Sequence, residues 1–403
     1  MKFHVRKEEL KSKLDIIRKS RSMTKSVSDD MGSILLIKAN AEEKSLKFYS
    51  SNFYIWSSSS IIVTDINDTE IFDVELSGEI HLNGPNFIDF ISTFPDESII
   101  TFEIEESNDN TSLSAKCKKI KGTKKVNFFK IEANDFDPNP PVEDRKSFVI
   151  SCEKLLKAVE SVEYASDVNE NRQHLFGILT EFYPTTGNIA CCATDTIRIV
   201  SYDELGIEKV SEEPIVLSPI KASFINAIKT MNNKEDVTIE VGETQTILRQ
   251  KNQWHSVPNV NKSLNDEFPN WREIFKKYSE EVKTSFFINK NSVSECLRSA
   301  KLASHTKYGV RASFNCSEKT IKFAADNIDD GSIVKSLYEE VETIEDIQGE
   351  ETDYSILFIV DILTEIVSNL PGNTIIFDII NESKALLIRC EDPAIRIIIS
   401  TIQ

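Results

Sequence analysis

The sequence predicts an α+β protein built from three copies of one module, each with two helices packed on one face of an antiparallel sheet. Two patterns that each occur three times carry this prediction. The first pattern is a short alternating strand followed by an amphipathic helix, and it begins at Lys2, Ser147 and Ser285. The second pattern reads strand, helix, polar turn and strand, and it begins at Ile80, Ile215 and Ile356.

Each element of the first pattern follows from its apolar spacing. Apolar residues alternate in the opening strands, at Phe3/Val5, Phe148/Ile150 and Phe286/Ile288. A period of two is typical of a strand with one buried face. The apolar residues that follow recur at three- and four-residue spacing, as on one face of a helix. These seams are Leu10/Leu14/Ile17, Leu155/Val159/Val162 and Val293/Leu297/Ala300.

The second pattern repeats with the same regularity. Its helices are predicted from apolar anchors at matching places, Phe87/Ile88/Ile91, Phe224/Ile225/Ile228 and Ile362/Leu363/Ile366. Alternating strands follow a polar turn in each copy, over Ile99–Ile104, Val237–Val241 and Ile375–Ile379. Each third of the chain therefore holds two strand–helix–strand halves.

Short polar segments separate the three modules. Pro140-Pro141 and the charged run to Lys146 mark the first boundary, and Tyr278–Lys283 marks the second. We predict domains at residues 1–143, 144–281 and 282–403 of the 403-residue chain. Related modules of constant length indicate an arc that symmetry can close into a ring.

The charge of the chain limits how it can bind nucleic acid. The net charge is −18, whereas a protein that holds nucleic acid on an open basic surface is usually basic overall. The first 25 residues reverse this balance with nine Lys or Arg against three acids. A role on DNA therefore requires locally concentrated positive charge or a topological link.

Motifs for catalysis and cofactor binding are missing from the sequence. The five histidines are scattered, and phosphate-binding loops, nucleophile elbows and Cys/His metal spacings do not occur. We expect no cofactor and no metal, and seven reduced thiols in a soluble, cytoplasmic protein. An enzyme stays open as an alternative, since two carboxylates with shifted pKa values in a cleft leave no sequence motif.

Several short motifs occur in a family-specific order within the repeat. They are Met1-Lys2-Phe3-x-Val5, Asp135-Phe136-Asp137-Pro138, Ala193-Thr194-Asp195-x-x-Arg198, Phe268-Pro269-Asn270-Trp271-Arg272 and Gly309-Val310-Arg311. On these motifs the chain resembles the bacterial DNA polymerase III beta subunit, the sliding clamp, over essentially its whole length. It departs from that family at Thr196-Ile197, where a Gly-His pair is usual, and in its C-terminal tail.

The resemblance implies clamp domains whose helices line the central hole of a ring formed by a head-to-tail homodimer. It implies these partners: sequence-independent duplex DNA, the DNA polymerase III catalytic subunit, the clamp loader ATPase and other proteins with clamp-binding motifs. The basic or polar residues predicted to meet DNA are Lys7, Lys11, Arg18, Lys19, Lys25, Arg172, Gln173, Lys221, Lys229, Arg298 and Lys301. Ordinary solvated helix faces are the alternative interpretation of these residues.

The resemblance also implies a groove for short partner peptides with Leu and Phe anchors. The matching residues here are Arg172, His174, Leu175, Thr194, Arg198, Ile199, Pro269, Ile274, Ile399, Ser400 and Thr401. The alternative is that Leu175, Ile199 and Ile274 belong to the core. Because Ser400 and Thr401 are small and polar, we expect a shallower pocket with a shifted peptide preference.

A subunit interface is predicted where a lysine-rich run, Lys116–Lys125, leads into a strand. In the family the equivalent strand pairs with an edge strand of a neighbour, here near Ile333–Leu337. The predicted interface residues are Lys125, Val126, Phe128, Leu302, Asp329 and Asp330. The alternative is a lysine-protected edge that pairs with nothing.

The leading functional hypothesis is a processivity clamp without enzymatic activity. A clamp-like decoy or interaction scaffold, which competes for clamp-binding partners without being loaded on DNA, is the alternative.

Overall fold

A computed structural model gives the fold of the chain. It describes residues 1–21, 34–52, 54–62, 71–106, 111–119, 122–132, 135–168, 170–206, 212–260, 268–303, 309–329, 332–342, 344–380 and 385–402. The described α-helices are α1 (Lys7–Arg21), α2 (Gly84–Ser92), α3 (Cys152–Glu160), α4 (Lys221–Thr230), α5 (Trp271–Glu280), α6 (Lys290–Ala303) and α7 (Val360–Asn369). None of these described helices has the length and apolar character needed to cross a membrane.

The strands of the first half of the chain are β1 (Lys2–Arg6), β2 (Ile34–Asn40), β3 (Ser45–Ser51), β4 (Trp56–Ile62), β5 (Phe72–Leu76), β6 (Gly78–Asn83), β7 (Ile99–Glu106), β8 (Thr111–Lys119), β9 (Gly122–Phe129), β10 (Lys146–Ser151), β11 (Leu179–Tyr183), β12 (Asn188–Thr194) and β13 (Arg198–Asp203). Those of the second half are β14 (Ile215–Leu217), β15 (Asp236–Val241), β16 (Gln245–Gln250), β17 (Gln253–Pro258), β18 (Thr284–Asn289), β19 (Val310–Asn315), β20 (Thr320–Asp329), β21 (Ser332–Glu342), β22 (Ile344–Gly349), β23 (Tyr354–Phe358), β24 (Thr374–Ile379), β25 (Leu386–Cys390) and β26 (Ile395–Ile399).

The chain forms two compact units, residues 1–156 with 219–259, and residues 157–218 with 260–403. The first unit contains an eight-stranded sheet in the order β10-β15-β16-β17-β4-β3-β2-β6 and a five-stranded sheet in the order β5-β1-β7-β8-β9. Helix α1 packs on β4 and against α2 and α4. Its predicted seam is buried, with Leu10 and Leu14 fully enclosed in the apolar core of the unit.

The second unit has a nine-stranded sheet in the order β14-β11-β12-β13-β26-β25-β24-β18-β22 and a four-stranded sheet in the order β21-β20-β19-β23. Helices α6 and α7 pack against each other. The apolar anchors of α7 behave as predicted from sequence at Leu363 and Ile366, which are buried. Ile362 is only partly buried.

Each long sheet joins two of the predicted modules edge to edge. In the first unit, β4 of the first module pairs with β17 of the second. In the second unit, β13 of the second module pairs with β26 of the third. Pairing across these edges explains why the compact units cut through the second module. The predicted boundaries after residues 143 and 281 follow the sequence repeat. That each of the three modules folds independently stays a prediction.

Local sequence signals mark the first turns of α2 and α1. Asn83 caps α2, because its side-chain oxygen accepts the backbone N–H of Asn86 at 3.1 Å. Pro85 follows in the first turn of that helix, where no backbone donor is needed. In α1 the acidic Glu8 and Glu9 occupy the first turn, where carboxylates favour the positive end of the helix dipole.

Candidate functional site

The Thr-Asp-x-x-Arg motif forms a tight turn between β12 and β13. The side chain of Asp195 accepts backbone N–H bonds from Ile197 at 3.0 Å and Arg198 at 2.9 Å. Thr194 donates its hydroxyl to the carbonyl of Arg198 at 2.6 Å. Thr196 has a φ of 74°, a conformation that favours glycine. A β-branched residue therefore occupies a strained backbone position in this turn.

Arg198 is a structural residue of this turn rather than an open peptide contact. Its side chain is only 6% exposed and lies 2.7 Å from Glu365 Oε2 and 3.1 Å from Asp195 Oδ2. It also donates to the carbonyl of Tyr164 at 2.7 Å and lies over the Tyr164 ring. Arg198 itself is buried, whereas Asp195 and Glu365 are 17% and 47% exposed, so loss of the arginine leaves partly solvated carboxylates and is expected to cost about 1–3 kcal/mol.

Arg172 lies in the 3-10 segment Glu170–Leu175 and connects this segment to the same turn. It donates to the hydroxyl of Thr196 at 2.6 Å and forms an ion pair with Asp167 at 2.7 Å. His174 is half-buried, whereas Leu175 is 1% exposed. The side chain of Leu175 therefore contributes to the core, as the alternative interpretation of the sequence held.

Helix α5 covers the sheet beside the turn. Trp271 and Phe275 are buried in an apolar cluster with Ile199, and Ile274 packs at its margin. Ile199 is 7% exposed and is therefore also a core residue. Pro269 precedes the helix and accepts the backbone N–H of Trp271 at 2.7 Å.

A buried charge network fixes α5 on the sheet. Arg272 lies 2.6 Å from Asp203 Oδ2 and 2.8 Å from Glu181 Oε2, and it donates to the hydroxyl of Tyr183 at 2.9 Å. Burial raises the pKa of Asp203, and the neighbouring arginine opposes that shift. The sequence motif contained Arg272 but assigned no role to it or to its partners.

The C-terminal tail reaches the turn through backbone pairing. Ile399 is fully buried and pairs with Arg198 across β26 and β13. The N–H of Ser400 then donates to the carbonyl of Ile197 at 2.8 Å. Ser400 is exposed and Thr401 is half-buried.

All the residues predicted to form the peptide groove lie in the second unit, around one turn, one helix start and the tail. Their exposure divides them into two sets. The accessible or half-buried set is Arg172, His174, Pro269, Ile274, Ser400 and Thr401. The set whose side chains are buried in the free chain is Leu175, Thr194, Arg198, Ile199 and Ile399. The side chains of the second set do not offer open contact surface in the single chain.

The predicted DNA-contacting residues also divide by exposure. Lys7 does not fit the prediction, because its side chain is 7% exposed and its ammonium donates to the carbonyl of Phe94 at 2.5 Å and to Asp96 at 2.7 Å. The first turn of α1 packs against the loop after α2, and this contact encloses the lysine. Lys11 and Arg18 lie on the exposed side of α1, as predicted.

The remaining predicted DNA contacts lie on several elements. Exposed ones are Lys19 on α1, Gln173 in the 3-10 segment, Lys229 on α4, and Arg298 and Lys301 on α6. Lys221 at the start of α4 and Arg172 are half-buried. Lys301 forms an ion pair with Asp361 at 2.8 Å. Lys25 lies outside the described residues.

The predicted interface strand β9 is an edge strand of its sheet. Lys125 is bonded to Glu105 at 2.8 Å, and Lys125 together with Lys116 lowers the pKa of Glu105 to about 2. Val126 is half-buried against the core of the first unit. Asp329 ends β20, and Asp330 lies outside the described residues. The predicted partner segment near Ile333–Leu337 falls in β21, also an edge strand.

Phe128, which is predicted to lie at the interface, is largely buried within the single chain. It is 8% exposed and packs edge-on against Phe87, with ring centroids 4.9 Å apart. The accessible apolar groups are Phe90 on α2, at 47% exposure, and the predicted Leu302 on α6, at 75%. The sequence held a signal for Phe90, since it is a large apolar residue outside the helical seam of α2.

The possible metal ligands and the cysteines in the described part of the chain show no arrangement typical of a reactive site. No group of His, Cys, Asp or Glu residues that could hold a metal ion occurs among the described residues. Six of the seven cysteines are buried, as predicted from sequence. Burial raises the pKa of the Cys191 thiol to about 12, which keeps it protonated.

Comparisons with known proteins agree with this architecture. No model of a known protein family matches the chain. The chain is 21% identical over 262 residues to the beta sliding clamp of Synechococcus elongatus and 23% identical over 206 residues to that of Rickettsia felis. These alignments cover 64% and 50% of this chain, and 66% and 49% of the two relatives.

The fold matches solved structures over the whole chain. The DNA polymerase III subunit beta of Pseudomonas aeruginosa aligns with a TM-score of 0.81 at 16% identity, covering 100% of both chains. The DNA polymerase sliding clamp of Bacillus subtilis also aligns at 0.81, with 20% identity, covering 100% of this chain and 99% of its own. The chain is therefore similar in sequence to bacterial beta sliding clamps and has their fold over its whole length.

Proposed function

We propose that the protein is a DNA sliding clamp, a non-enzymatic processivity factor of the cytoplasm that encircles duplex DNA and holds replication proteins on it. The observation that carries this proposal is the full-length fold match with DNA polymerase III beta subunits. A clamp acts through topology, so the proposal also accommodates a chain of net charge −18.

The internal junctions support closure of a ring from two copies. In each module, three consecutive strands follow the first strand and helix: β2–β4, β11–β13 and β19–β21. At both internal junctions, the last of these three strands pairs with the final strand of the next module, β4 with β17 and β13 with β26. The same rule leaves β21 of the third module to pair with β9 of the first module in a second copy. Both are sheet-edge strands, which present unpaired backbone groups. A head-to-tail homodimer satisfies both edges.

The helices support the same closure. Within the first unit, α1, the first helix of one module, packs against α4, the second helix of the next. The equivalent contact at the closing junction joins α6 of one copy to α2 of the other. These two helices carry Leu302 and Phe90, which are 75% and 47% exposed in the single chain. Burial of such groups is what an interface of this kind requires.

The exposed basic residues of the helices supply contacts with phosphates. Lys11 and Arg18 on α1, Lys229 on α4 and Arg298 on α6 are exposed residues. Contacts of this kind are sequence-independent and individually weak, which permits sliding. Closure of the ring then accounts for retention on DNA, and a clamp loader ATPase accounts for its opening.

The groove of the second unit is the proposed site for partner peptides. Its accessible members combine apolar groups, such as Ile274 and Pro269, with the donors of Arg172, His174 and Ser400. The proposed occupants are extended peptides of the DNA polymerase III catalytic subunit, the clamp loader and other proteins with clamp-binding motifs. One of the structural neighbours, a clamp of Pseudomonas aeruginosa, is described as bound to griselimycin.

Retention on circular DNA tests the central proposal. Protein loaded on a nicked circle is expected to stay bound through gel filtration and to leave after the circle is cut once. The double variant Lys11→Glu/Arg18→Glu is expected to load poorly, whereas Lys276→Glu, which changes an exposed lysine of α5, serves as the matched control. Equal retention on circular and linear DNA contradicts a sliding clamp.

Calorimetry with a peptide of the cognate polymerase tests the groove. Ile274→Asp is expected to weaken binding at least about tenfold, because it places a charge against the anchor of an apolar peptide. Lys277→Asp, an exposed change on the same helix, is the control. Unchanged affinity of the Ile274 variant contradicts the groove assignment and leaves the ring proposal intact.

A further inference from the structure

An open cleft lies on the eight-stranded sheet of the first unit, at the junction between β4 and β17. Its volume is about 410 Å³, and Tyr49, Ser58, Arg249, Lys251 and Trp254 are among the residues that line it. Ser58 is paired with Tyr49 on one neighbouring strand and with Trp254 on the other. All three side chains therefore point to one face of the sheet.

This cleft occupies the same place in the repeat as the region beside the proposed groove. The turn before β4 is built like the turn before β13. Asn52 accepts the backbone N–H of Ile55 at 2.8 Å, as Asp195 accepts that of Arg198 at 2.9 Å. The two junctions thus share their antiparallel strand pairing and the hydrogen bond of the turn that precedes it.

Side chains at the two junctions also correspond. Arg249 is bonded to Glu240 on the adjacent strand at 2.5 Å, and at the equivalent place Arg389 is bonded to Asp378 at 2.7 Å. Opposite Arg249 stands Trp254, whose ring lies 5.4 Å from the guanidinium carbon. In the second unit, helix α5 covers the equivalent junction. The described part of the first unit leaves Tyr49 and Trp254 half-exposed.

The spacing of the two aromatic residues fits one planar side chain. Tyr49 and Trp254 are each one strand from Ser58, and neighbouring strands lie about 4.8 Å apart, which separates the aromatic residues by about 10 Å. Aromatic pairs are favourable at centroid distances of about 4.5–7 Å. A third ring placed above the small Ser58 therefore has an aromatic neighbour on both sides.

The space between Tyr49 and Trp254 is called the slot below. The charged groups around it nearly cancel, apart from one lysine. Lys47 lies 3.3 Å from Glu43, and Arg249 is paired with Glu240. Lys251, in the turn between β16 and β17, is exposed and forms no ion pair with any residue that the structure describes. The cleft therefore offers one uncompensated cation beside an aromatic slot.

We propose that this cleft is a second docking site for protein partners, which takes an extended peptide carrying an aromatic residue beside a carboxylate. The ring enters the slot between Tyr49 and Trp254, and the carboxylate meets Lys251. The site goes beyond the proposed function, because it lies at the β4–β17 junction, whereas the proposed groove lies in the second unit. Single-stranded nucleic acid fits less well, since its repeated phosphates would face the carboxylates of Glu43 and Glu240.

Tryptophan fluorescence gives a direct test on the full chain. Trp254 is half-exposed, whereas Trp56 and Trp271 are 6% and 3% exposed, so acrylamide quenching reports mainly on Trp254. The probe is the synthetic peptide Gly-Ser-Asp-Phe-Asp-Ser-Gly, with versions that replace Phe by Ala or both Asp by Asn. We expect the first peptide to protect Trp254 from quenching and each altered peptide to bind at least about fivefold more weakly.

Two protein variants locate the site. Tyr49→Ala and Lys251→Glu are each expected to weaken the peptide at least about fivefold, whereas Tyr54→Ala, at an exposed tyrosine of the β3–β4 turn, leaves it unchanged. Circular dichroism verifies the fold of each variant. Retention of Lys251→Glu on circular DNA is measured in parallel, so that failure of this site is distinguished from failure of the ring.

The peptide proposal is overturned by absence of protection, or by equal binding to the wild-type chain and both site variants. Tighter protection by oligo(dT) than by the acidic peptide also overturns it and assigns the cleft to nucleic acid.

Discussion

Phe90→Glu is predicted to separate the two copies of the ring without unfolding either one. Phe90 lies on α2 and is 47% exposed in the single chain, and its only aromatic contact among the described residues is an edge contact with Phe128 at 5.9 Å. Loss of that contact costs about 0.5–1.5 kcal/mol of unfolding free energy. The folded monomer therefore tolerates the change.

The effect on self-association is larger. A phenylalanine presents about 200 Å² of surface, so closure of the ring over its exposed part removes about 95 Å² from water. At about 25 cal/mol per Å², this burial contributes about 2.4 kcal/mol at each of the two identical closing junctions, which together correspond to a change of about 3,000-fold in the dimer dissociation constant. Burial of the introduced carboxylate near Leu302 of the other copy adds to the loss.

Sedimentation velocity over a concentration series measures the monomer–dimer equilibrium directly. Tyr54→Glu is the matched control, because Tyr54 is an aromatic residue of similar exposure, 54%, that lies in the β3–β4 turn away from the closing edge. An unchanged dissociation constant for Phe90→Glu, or an equal weakening by Tyr54→Glu, refutes the assignment of α2 to the closing junction.

Three further predictions concern the buried polar groups. Arg198→Ala is expected to lower the free energy of unfolding by about 1–3 kcal/mol in urea titrations, because it removes the buried partner of the partly exposed Asp195 and Glu365; a loss below about 0.5 kcal/mol would contradict the network. His255 is fully buried between the hydroxyls of Ser57 and Thr230, and burial lowers its pKa from 6.5 to about 4. The unfolded chain therefore takes up the proton first as the pH falls, so stability should decrease between about pH 6.5 and 4 by up to about 3 kcal/mol, and His255→Gln should flatten that part of the profile. Lys7→Met should leave retention on circular DNA unchanged while lowering the melting temperature, since Lys7 is bonded to Phe94 and Asp96; a loss of retention equal to that of the Lys11→Glu/Arg18→Glu variant would show that Lys7 does meet DNA.

The repeat and its buried faces were predictable from the sequence. The helical seam that includes Leu10 and Leu14 and the strand alternation that includes Phe3 and Val5 are buried as their spacing predicts. Period and propensity are local properties, and each reports which face of its own element a residue occupies. The family resemblance was likewise carried by short local motifs in a fixed order.

The roles of individual charged and aromatic residues were less predictable. Lys7 and Lys11 are one helical turn apart on α1, but only Lys7 is enclosed by the loop that holds Phe94. Phe128 and Phe90 are both apolar and near one edge, but only Phe128 is covered by the core. Residues far apart in sequence supply the covering atoms in each case, and a local pattern carries no information about them.

The sequence by itself determined the repeat, the helices and strands of its two recurring patterns and the faces that these elements bury. The tertiary structure decided which strand edges meet, which arginines become structural and which side chains stay accessible at the proposed groove and in the cleft. The physical reason is that edge pairing and burial depend on contacts between distant segments, such as β4 with β17 and β13 with β26. The apolar period of an element shows which of its faces is buried, but only the long-range pairing of strands and helices determines which residues cover that face.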